Sequence, residues 1–253
     1  MFQGKTKAVT FSYDDGVLQD KRLIKLFNKY GLKATFNINS ALLGNAGALV
    51  RDGVTVAHCK PKKEEVAAIY DGHEVAAHSL THPALTKLSN KKVYRQVEYD
   101  RKELSKIVGY EVVGFAYPGS TELSKSDRTV NIIDKYTGIS YARTTKSTYN
   151  FEPQPDLLGF NPTIHHVEWD KLFELATEFI SLKSDSPKIF YIWGHSYEFD
   201  ILDDWNRFEE FCRIISNHDD VFYGTNSQVL LDEDLLKYLS VTPTTPKKPK
   251  FLF

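Results

Sequence analysis

Polar and apolar positions alternate along this chain in two rhythms. Short runs of β-branched, aromatic and small residues are followed by longer stretches whose apolar positions recur at helical spacing. KAVTFSY (7–13) reads as a buried strand, and DKRLIKLFNKYG (20–31) as an amphipathic helix ended by Gly31. KATFNIN (33–39) predicts the next strand, KPKKEEVAAIYDG (60–72) a helix and HEVAAHS (73–79) a strand. NKKVYRQVEYDRKELSKIVG (90–109) predicts a long helix stopping at Gly109, and EVVGFAYP (111–118) a strand. SDRTVNIIDKY (126–136) then reads as a helix and ISYARTT (139–145) as a strand, with LLGFNPTI (157–164) a weaker strand candidate. The pattern ends with helix EWDKLFELATEFISLK (168–183), strand KIFYIWGH (188–195) and helix DDWNRFEEFCRIISN (203–217). Strand VFYGTN (221–226) and helix SQVLLDEDLLKYL (227–239) follow.

Such alternation amounts to about seven or eight β-α units and predicts a parallel sheet with helical crossovers. No repeat, linker or low-complexity block divides it, so one domain is expected over 1–240. The Pro-, Thr- and Lys-rich VTPTTPKKPKFLF (241–253) predicts an extended tail. A Gly-x-Gly-x-x-Gly fingerprint is absent. The expected class is therefore α/β, a distorted (β/α) barrel with about seven parallel strands rather than an open dinucleotide-binding sheet.

Composition narrows the partners. A net charge of −1 over 253 residues gives no electrostatic case for nucleic acid or an anionic membrane. Cys59 and Cys212 are too few for a disulfide framework and read as buried thiols. No run is long enough for a transmembrane helix, and MFQGKTKAVTF enters a strand without an apolar leader, so a cytoplasmic location is expected. Nothing in the pattern speaks to oligomeric state.

Chemistry collects at the predicted strand ends, which in a parallel barrel all open on one face. Asp14 and Asp15 end the first strand and His78 ends HEVAAHS. Pro118-Gly119 end EVVGFAYP, Arg143 sits in ISYARTT and His195 ends KIFYIWGH. Side chains in a regular strand point to alternate faces, so Asp14 and Asp15 would diverge. Gly16, free to take positive φ, allows a turn that aims both at one point; the plainer reading is a surface Asp-Gly turn. In HSLTHP, His78 and His82 are four apart, but Pro83 disfavours helical geometry at His82. His82 is expected in a loop, with Pro83 opening the next helix. A tight turn still brings both imidazoles to one ion. Two histidines and one carboxylate leave a position for water, the pattern of catalytic rather than structural zinc.

TFSYDDG (10–16), HSLTHP (78–83), FAYPGS (115–120) and YIWGHSYEF (191–199), in that order, resemble the motifs of polysaccharide deacetylases, the NodB homology domain of carbohydrate esterase family four. The resemblance runs from about Lys7 to Asn226 and implies a NodB-like distorted barrel. It also implies removal of acetyl groups from N- or O-acetylated sugars with one divalent metal, zinc by preference. By the same resemblance Asp14 is the base, Asp15, His78 and His82 are the metal ligands, and His195 is the acid. FAYPGS falls where the family often has Phe-Arg-x-Pro-Tyr-Gly, so Ala116 stands for the arginine that steadies the base and Gly119 for the tyrosine. Arg143 looks like the substitute for that arginine, and the backbone N–H of Gly119 for the tyrosine's.

Trp193 and Tyr117 are candidates for a sugar platform, although aromatics in barrel strands are commonly core. His165 and His166 are candidates to line the cleft, His73 points to solvent or core, and His58 and His218 carry no assigned chemistry. The expected partner is an acetylated saccharide, with a soluble oligosaccharide or small intracellular substrate weighted equally with a polymer. The alternatives are hydrolysis of another C–N amide or ester bond, such as an acetylxylan or small cyclic amide, and a non-catalytic carbohydrate-binding barrel.

Overall fold

The first strand, β1 (Lys7–Asp14), is buried at all eight positions, and the alternation of its side chains organises everything around it. Val9, Phe11 and Tyr13 face the helices, where Phe11 and Tyr13 pack on Phe27 and Phe208 with ring centroids 4.7–6.4 Å apart. Thr10, Ser12 and Asp14 face the other way, into a polar interior. There Thr10 bonds Asn226 (2.9 Å) and Ser12 receives the Asn37 amide (2.8 Å) and the Arg143 guanidinium (3.2 Å). Period-two alternation thus separates an aromatic helix-facing layer from a hydrogen-bonded lumen.

In the computed structural model, which describes residues 1–51 and 53–242, nine further strands follow. They are β2 (Ala34–Ile38), β3 (Ala48–Arg51), β4 (Val54–Ala57), β5 (Glu74–Ala77) and β6 (Gly114–Ala116). Then come β7 (Tyr141–Arg143), β8 (Ile164–His165), β9 (Lys188–Gly194) and β10 (Val221–Tyr223). The main sheet runs β7-β6-β5-β2-β1-β9-β8, with β10 beside the start of β1, and all its pairings are parallel. Helices lie between the strands: the longest helical stretch joins Asn90–Tyr94, Arg95–Tyr99 and Asp100–Val108 without a break, followed in length by Trp169–Ser181, Trp205–Ile215, Asp20–Lys29 and Asp127–Tyr136. This curled parallel α/β half-barrel agrees with the fold class expected from the sequence. Among the described residues no helix is long and apolar enough to cross a membrane.

The structure corrects several local expectations. LLGFNPTI is not one strand: a 3-10 turn at Leu157–Gly159 precedes Phe160, and only Ile164–His165 joins β9. Pro162, lacking an N–H, interrupts the ladder, yet Phe160 exchanges bonds with Ala142 (2.9 Å) and Thr144 (3.0 Å) of the β7 edge. One irregular segment therefore reaches from β7 to β9. Pro83 does not open a helix; the next helical turn is a 3-10 turn at Leu85–Lys87. The helix expected at 203–217 is the single helix Trp205–Ile215, preceded by an unanticipated short helix Glu198–Leu202 that ends at left-handed Asp203 (φ 53°), whereas the last expected helix is divided at the Asp232 cap into Asn226–Leu230 and Glu233–Leu239. The antiparallel hairpin of β3 and β4 was not anticipated, although Asp52-Gly53 between two apolar runs is its sequence signal. Cys212 is buried but Cys59 is only half-buried, and both are free. Beyond Thr242 the expected tail lies outside the described residues.

Candidate active site

The carboxyl ends of the strands surround a cavity of about 490 Å³. Asp14, Asp15, His78, His82, Gly119, Trp193 and His195 line it. Asp14 keeps its strand geometry. Asp15 itself adopts left-handed backbone (φ 79°), followed by Gly16 (φ 55°), so the turn begins one residue earlier than the Asp-Gly pattern suggests. A Cβ on Gly16 would also come within 3.0 Å of the Ile38 side chain. Left-handed geometry costs a non-glycine residue about 1–2 kcal/mol. Lys60 offsets that cost: its buried ammonium donates to the Asp15 carbonyl at 2.5 Å, a charged bond worth about 1.5–3 kcal/mol. Asp20 ties the same turn to the loop after β9, accepting from Val17 N (3.1 Å) and the Ser196 hydroxyl (2.5 Å). The result is that His78 Nε2 lies 3.9 Å from an oxygen of each aspartate.

His78 follows β5 and is fully buried. Its Nδ1 lies 2.9 Å from the Ala116 carbonyl, so that nitrogen carries the hydrogen and donates. Its Nε2 is buried with no hydrogen-bond partner. Burial pushes this imidazole down to about 4, which keeps it neutral and its Nε2 lone pair free at neutral pH. His82 sits at φ 57° in a loop held by Gln96. Leu80 N donates to the Gln96 carbonyl (2.9 Å) and Thr81 N to its side-chain oxygen (3.0 Å). Gln96 lies in a π-helical turn, Arg95–Tyr99, inside the long helical stretch that ends at Gly109.

Asp15 Oδ1 is 3.9 Å from His78 Nε2 and 3.8 Å from His82 Nε2, while Oδ2 is bound by His58 Nε2 at 3.3 Å. One oxygen is thus presented to the imidazoles and the other is held from outside. Nitrogen, nitrogen and carboxylate oxygen within 4.8 Å of one another match the donor set of a three-ligand zinc site. An orphaned Nε2 whose ring is fixed through Nδ1 is the outer-sphere arrangement such a ligand needs. These residues fit a divalent ion.

Asp14 is buried against Arg143, whose Nη2 lies 2.6 Å from Oδ1, and it also accepts from Asn37 Nδ2 at 2.8 Å. The guanidinium is itself held by Ser12 and the Thr144 carbonyl, and it stacks over Trp193 at 4.6 Å. Burial opposes the charge on Asp14, but Arg143, then His78 and His195, hold its carboxyl below the usual carboxylate range. Burial opposes Asp15 likewise, and His58 and Lys60 hold it well below that range.

Opposite stands Glu198, from the short helix Glu198–Leu202. It lies 3.1 Å from His195 Nδ1 and accepts from His195 N at 3.0 Å. Arg51, reaching in from the β3–β4 hairpin, pairs with it at 3.0 Å. Burial opposes a charge on His195, but the Glu198 carboxylate outweighs it and raises the imidazole to about 9.

Tyr117 corrects its expected role: it is fully buried, its hydroxyl donates to the Leu158 carbonyl (2.8 Å), and it does not line the cavity. Phe115 of β6 packs against it edge-to-face, so it belongs to the core. His165 lines the cavity, whereas His166 is buried behind it. His73, at the opposite end of the strands, bonds Ala34 N (3.2 Å) and Asn28 (3.1 Å). Sequence reasoning missed Glu198, Arg51, His58 and Lys60. Glu198 lies in YIWGHSYEF, three residues after His195, and that spacing was a usable signal. The other three ride on the unanticipated hairpin and the segment that follows it.

A family model described as polysaccharide deacetylase matches residues 3–142, more than half of the 253-residue chain. That span includes Asp14, Asp15, His78 and His82 and ends just before Arg143. Peptidoglycan-N-acetylglucosamine deacetylase PgdA of Listeria monocytogenes is 27% identical over 107 residues, covering 41% of this chain. The match spans 20% of that relative's length. Among solved structures, a putative polysaccharide deacetylase from Mycobacterium smegmatis superposes with a TM-score of 0.66 at 16% identity, covering 98% of this chain and 96% of its own. The Xyl-CE4 domain of a multidomain xylanase from the hindgut metagenome of Trinervitermes trinervoides gives 0.52 at 16% identity, over 96% and 95%. Both share the fold. On the family match, over a span that contains the paired aspartates and both histidines of the site, the chain belongs to the polysaccharide deacetylase family.

Proposed function

We propose that this chain is a metal-dependent hydrolase that removes acetyl groups from N-acetylated or O-acetylated sugars. The observation that carries the reading is the buried, partnerless Nε2 of His78, aimed with His82 and Asp15 at one point beside the Arg143-held carboxylate of Asp14. Asp15, His78 and His82 would hold the ion, zinc by its donor set. When bound, a divalent ion polarises an acetyl carbonyl and makes water a stronger acid.

The remaining work falls to the chain. Asp14, ionised at neutral pH, takes the proton of the attacking water. Arg143 and Asn37 keep its charge and orientation, the part an arginine of the third motif has elsewhere in the family. The Gly119 N–H, on the cavity wall, is the candidate donor to the developing oxyanion. An amine or sugar alkoxide leaves poorly without a proton, and His195, charged beside Glu198, supplies it. Trp193 and His165, stacked with ring centroids 4.4 Å apart, form an aromatic wall for a sugar ring.

Acetate release from N-acetylglucosamine oligomers and from acetylated xylo-oligosaccharides tests the reading. Release should vanish on chelation and return with zinc. Release from neither substrate, or release indifferent to chelation, overturns it.

A further inference from the structure

The carboxylate of Glu198 is crowded beyond its needs. Three imidazoles converge on its Oε2: His165 Nε2 at 2.9 Å, His166 Nε2 at 3.1 Å and His195 Nδ1 at 3.1 Å. The backbone N–H of His195 also donates to it at 3.0 Å. A carboxylate oxygen has two in-plane lone pairs, and His165 and the backbone N–H fill them with aligned bonds. His166 Nε2 and His195 Nδ1 are left buried and without a hydrogen-bond partner. The other nitrogen of His166 lies 3.0 Å from the Tyr13 hydroxyl, which fixes this ring as a buried neighbour of the carboxylate behind the residues that face the cavity. Space for His166 exists only because position 194 is glycine: a Cβ there would stand 2.5 Å from the ring.

We propose that Glu198, His165 and His195, whose donor atoms all lie within 4.8 Å of one another, form a second divalent-cation site, separate from the Asp15–His78–His82 site across the same cavity. Donor atoms around a tetrahedral zinc ion stand roughly 3.3 Å apart, from bond lengths of about 2.0–2.1 Å. The spacings to Oε2, 2.9 Å from His165 and 3.1 Å from His195, need to open by only a few tenths of an ångström, and all three donors already lie within 4.8 Å of one another. Two imidazoles and one carboxylate oxygen suit zinc and leave a position for water, and half-buried His165 opens on the cavity, giving an entry path. Arg51 pairs with Oε1 at 3.0 Å, so Glu198 offers a single ligand oxygen and a neighbouring positive charge. That charge makes the second site the weaker of the two. Filling it occupies Nδ1 of His195, so excess zinc inhibits; this last consequence, unlike the site itself, rests on the deacetylase reading.

Zinc titration of the metal-free full chain by calorimetry, with metal counted by mass spectrometry after desalting, tests the site without any activity measurement. Wild type should bind two equivalents, the second at least tenfold weaker. His78→Ala with Asp15→Asn should keep one weak equivalent. His165→Gln with Glu198→Gln should keep one tight equivalent, and His165→Gln alone, which keeps a polar side chain at the cavity wall, should weaken only the second step. One equivalent in wild type, or a second equivalent that survives His165→Gln with Glu198→Gln, overturns the proposal.

Discussion

Replacing Glu198 by Gln keeps the shape of the side chain and removes the charge that sustains His195. In the wild-type site that charge outweighs burial and raises the imidazole to about 9. At pH 7.5 such a group is about 97% protonated; at the ordinary value near 6.5 it would be only about 9% protonated. Burial persists in the variant and pushes the group lower still, so the acid form falls at least about tenfold at pH 7.5. The direction follows from the chemistry: the proton donor is the imidazolium, whose population declines as pH rises through its pKa. Wild-type acetate release with one zinc equivalent should therefore fall along an alkaline limb near pH 9. In Glu198→Gln that limb should move to 6.5 or below, with much of the rate recovered at pH 6. The same raised pKa stabilises the fold fully below about 6.5 and ceases to do so as pH climbs past about 9. Thermal melts of wild type should therefore soften over that range and those of the variant should not. An alkaline limb unmoved by the substitution refutes the role given to Glu198. So does a loss of activity equal at every pH.

Arg143→Ala removes one partner of a buried ion pair and should destabilise the fold by about 3–5 kcal/mol. Its Asp14 carboxyl, left to burial, should rise, moving the acid limb of the rate profile upward while zinc content stays normal; loss of the metal would contradict the separation of base from ligands. Gly194→Ala sets a methyl 2.5 Å from the His166 ring and should cost about 1–3 kcal/mol in thermal or denaturant melts. An unchanged melt would mean that the close approach of β9 to His166 is not what the structure depicts.

Much of the fold was legible because β-α alternation writes two periods into the chain, and β1, buried throughout, reads unambiguously as strand. What the pattern concealed was local. The left-handed backbone of Asp15 depends on Lys60, 45 positions away in the chain, and no window-based reading connects the two. Tyr117 follows a strand whose ends carry site residues, yet the backbone after β6 turns it into the core, a choice made by packing on Phe115. The hairpin bringing Arg51 and the segment bearing His58 and Lys60 join the site only in three dimensions. His78 and His82 were conspicuous because they are close in sequence. Glu198 was quoted within a motif and passed over because its chemistry depends on three histidines gathered by β8 and β9.

The most direct test of the central claim separates the two adjacent aspartates by metal content and acetate release in the same preparations. Asp14→Asn leaves Asp15, His78 and His82 in place, so it should keep near-normal tight zinc while losing about 10²–10⁴-fold in turnover, the usual contribution of a general base. Asp15→Asn replaces a charged ligand by a neutral amide and should lose the tight zinc along with activity. The account predicts two variants alike in the activity assay and different in the metal assay. Equal loss of zinc from both, or full activity in either, contradicts it.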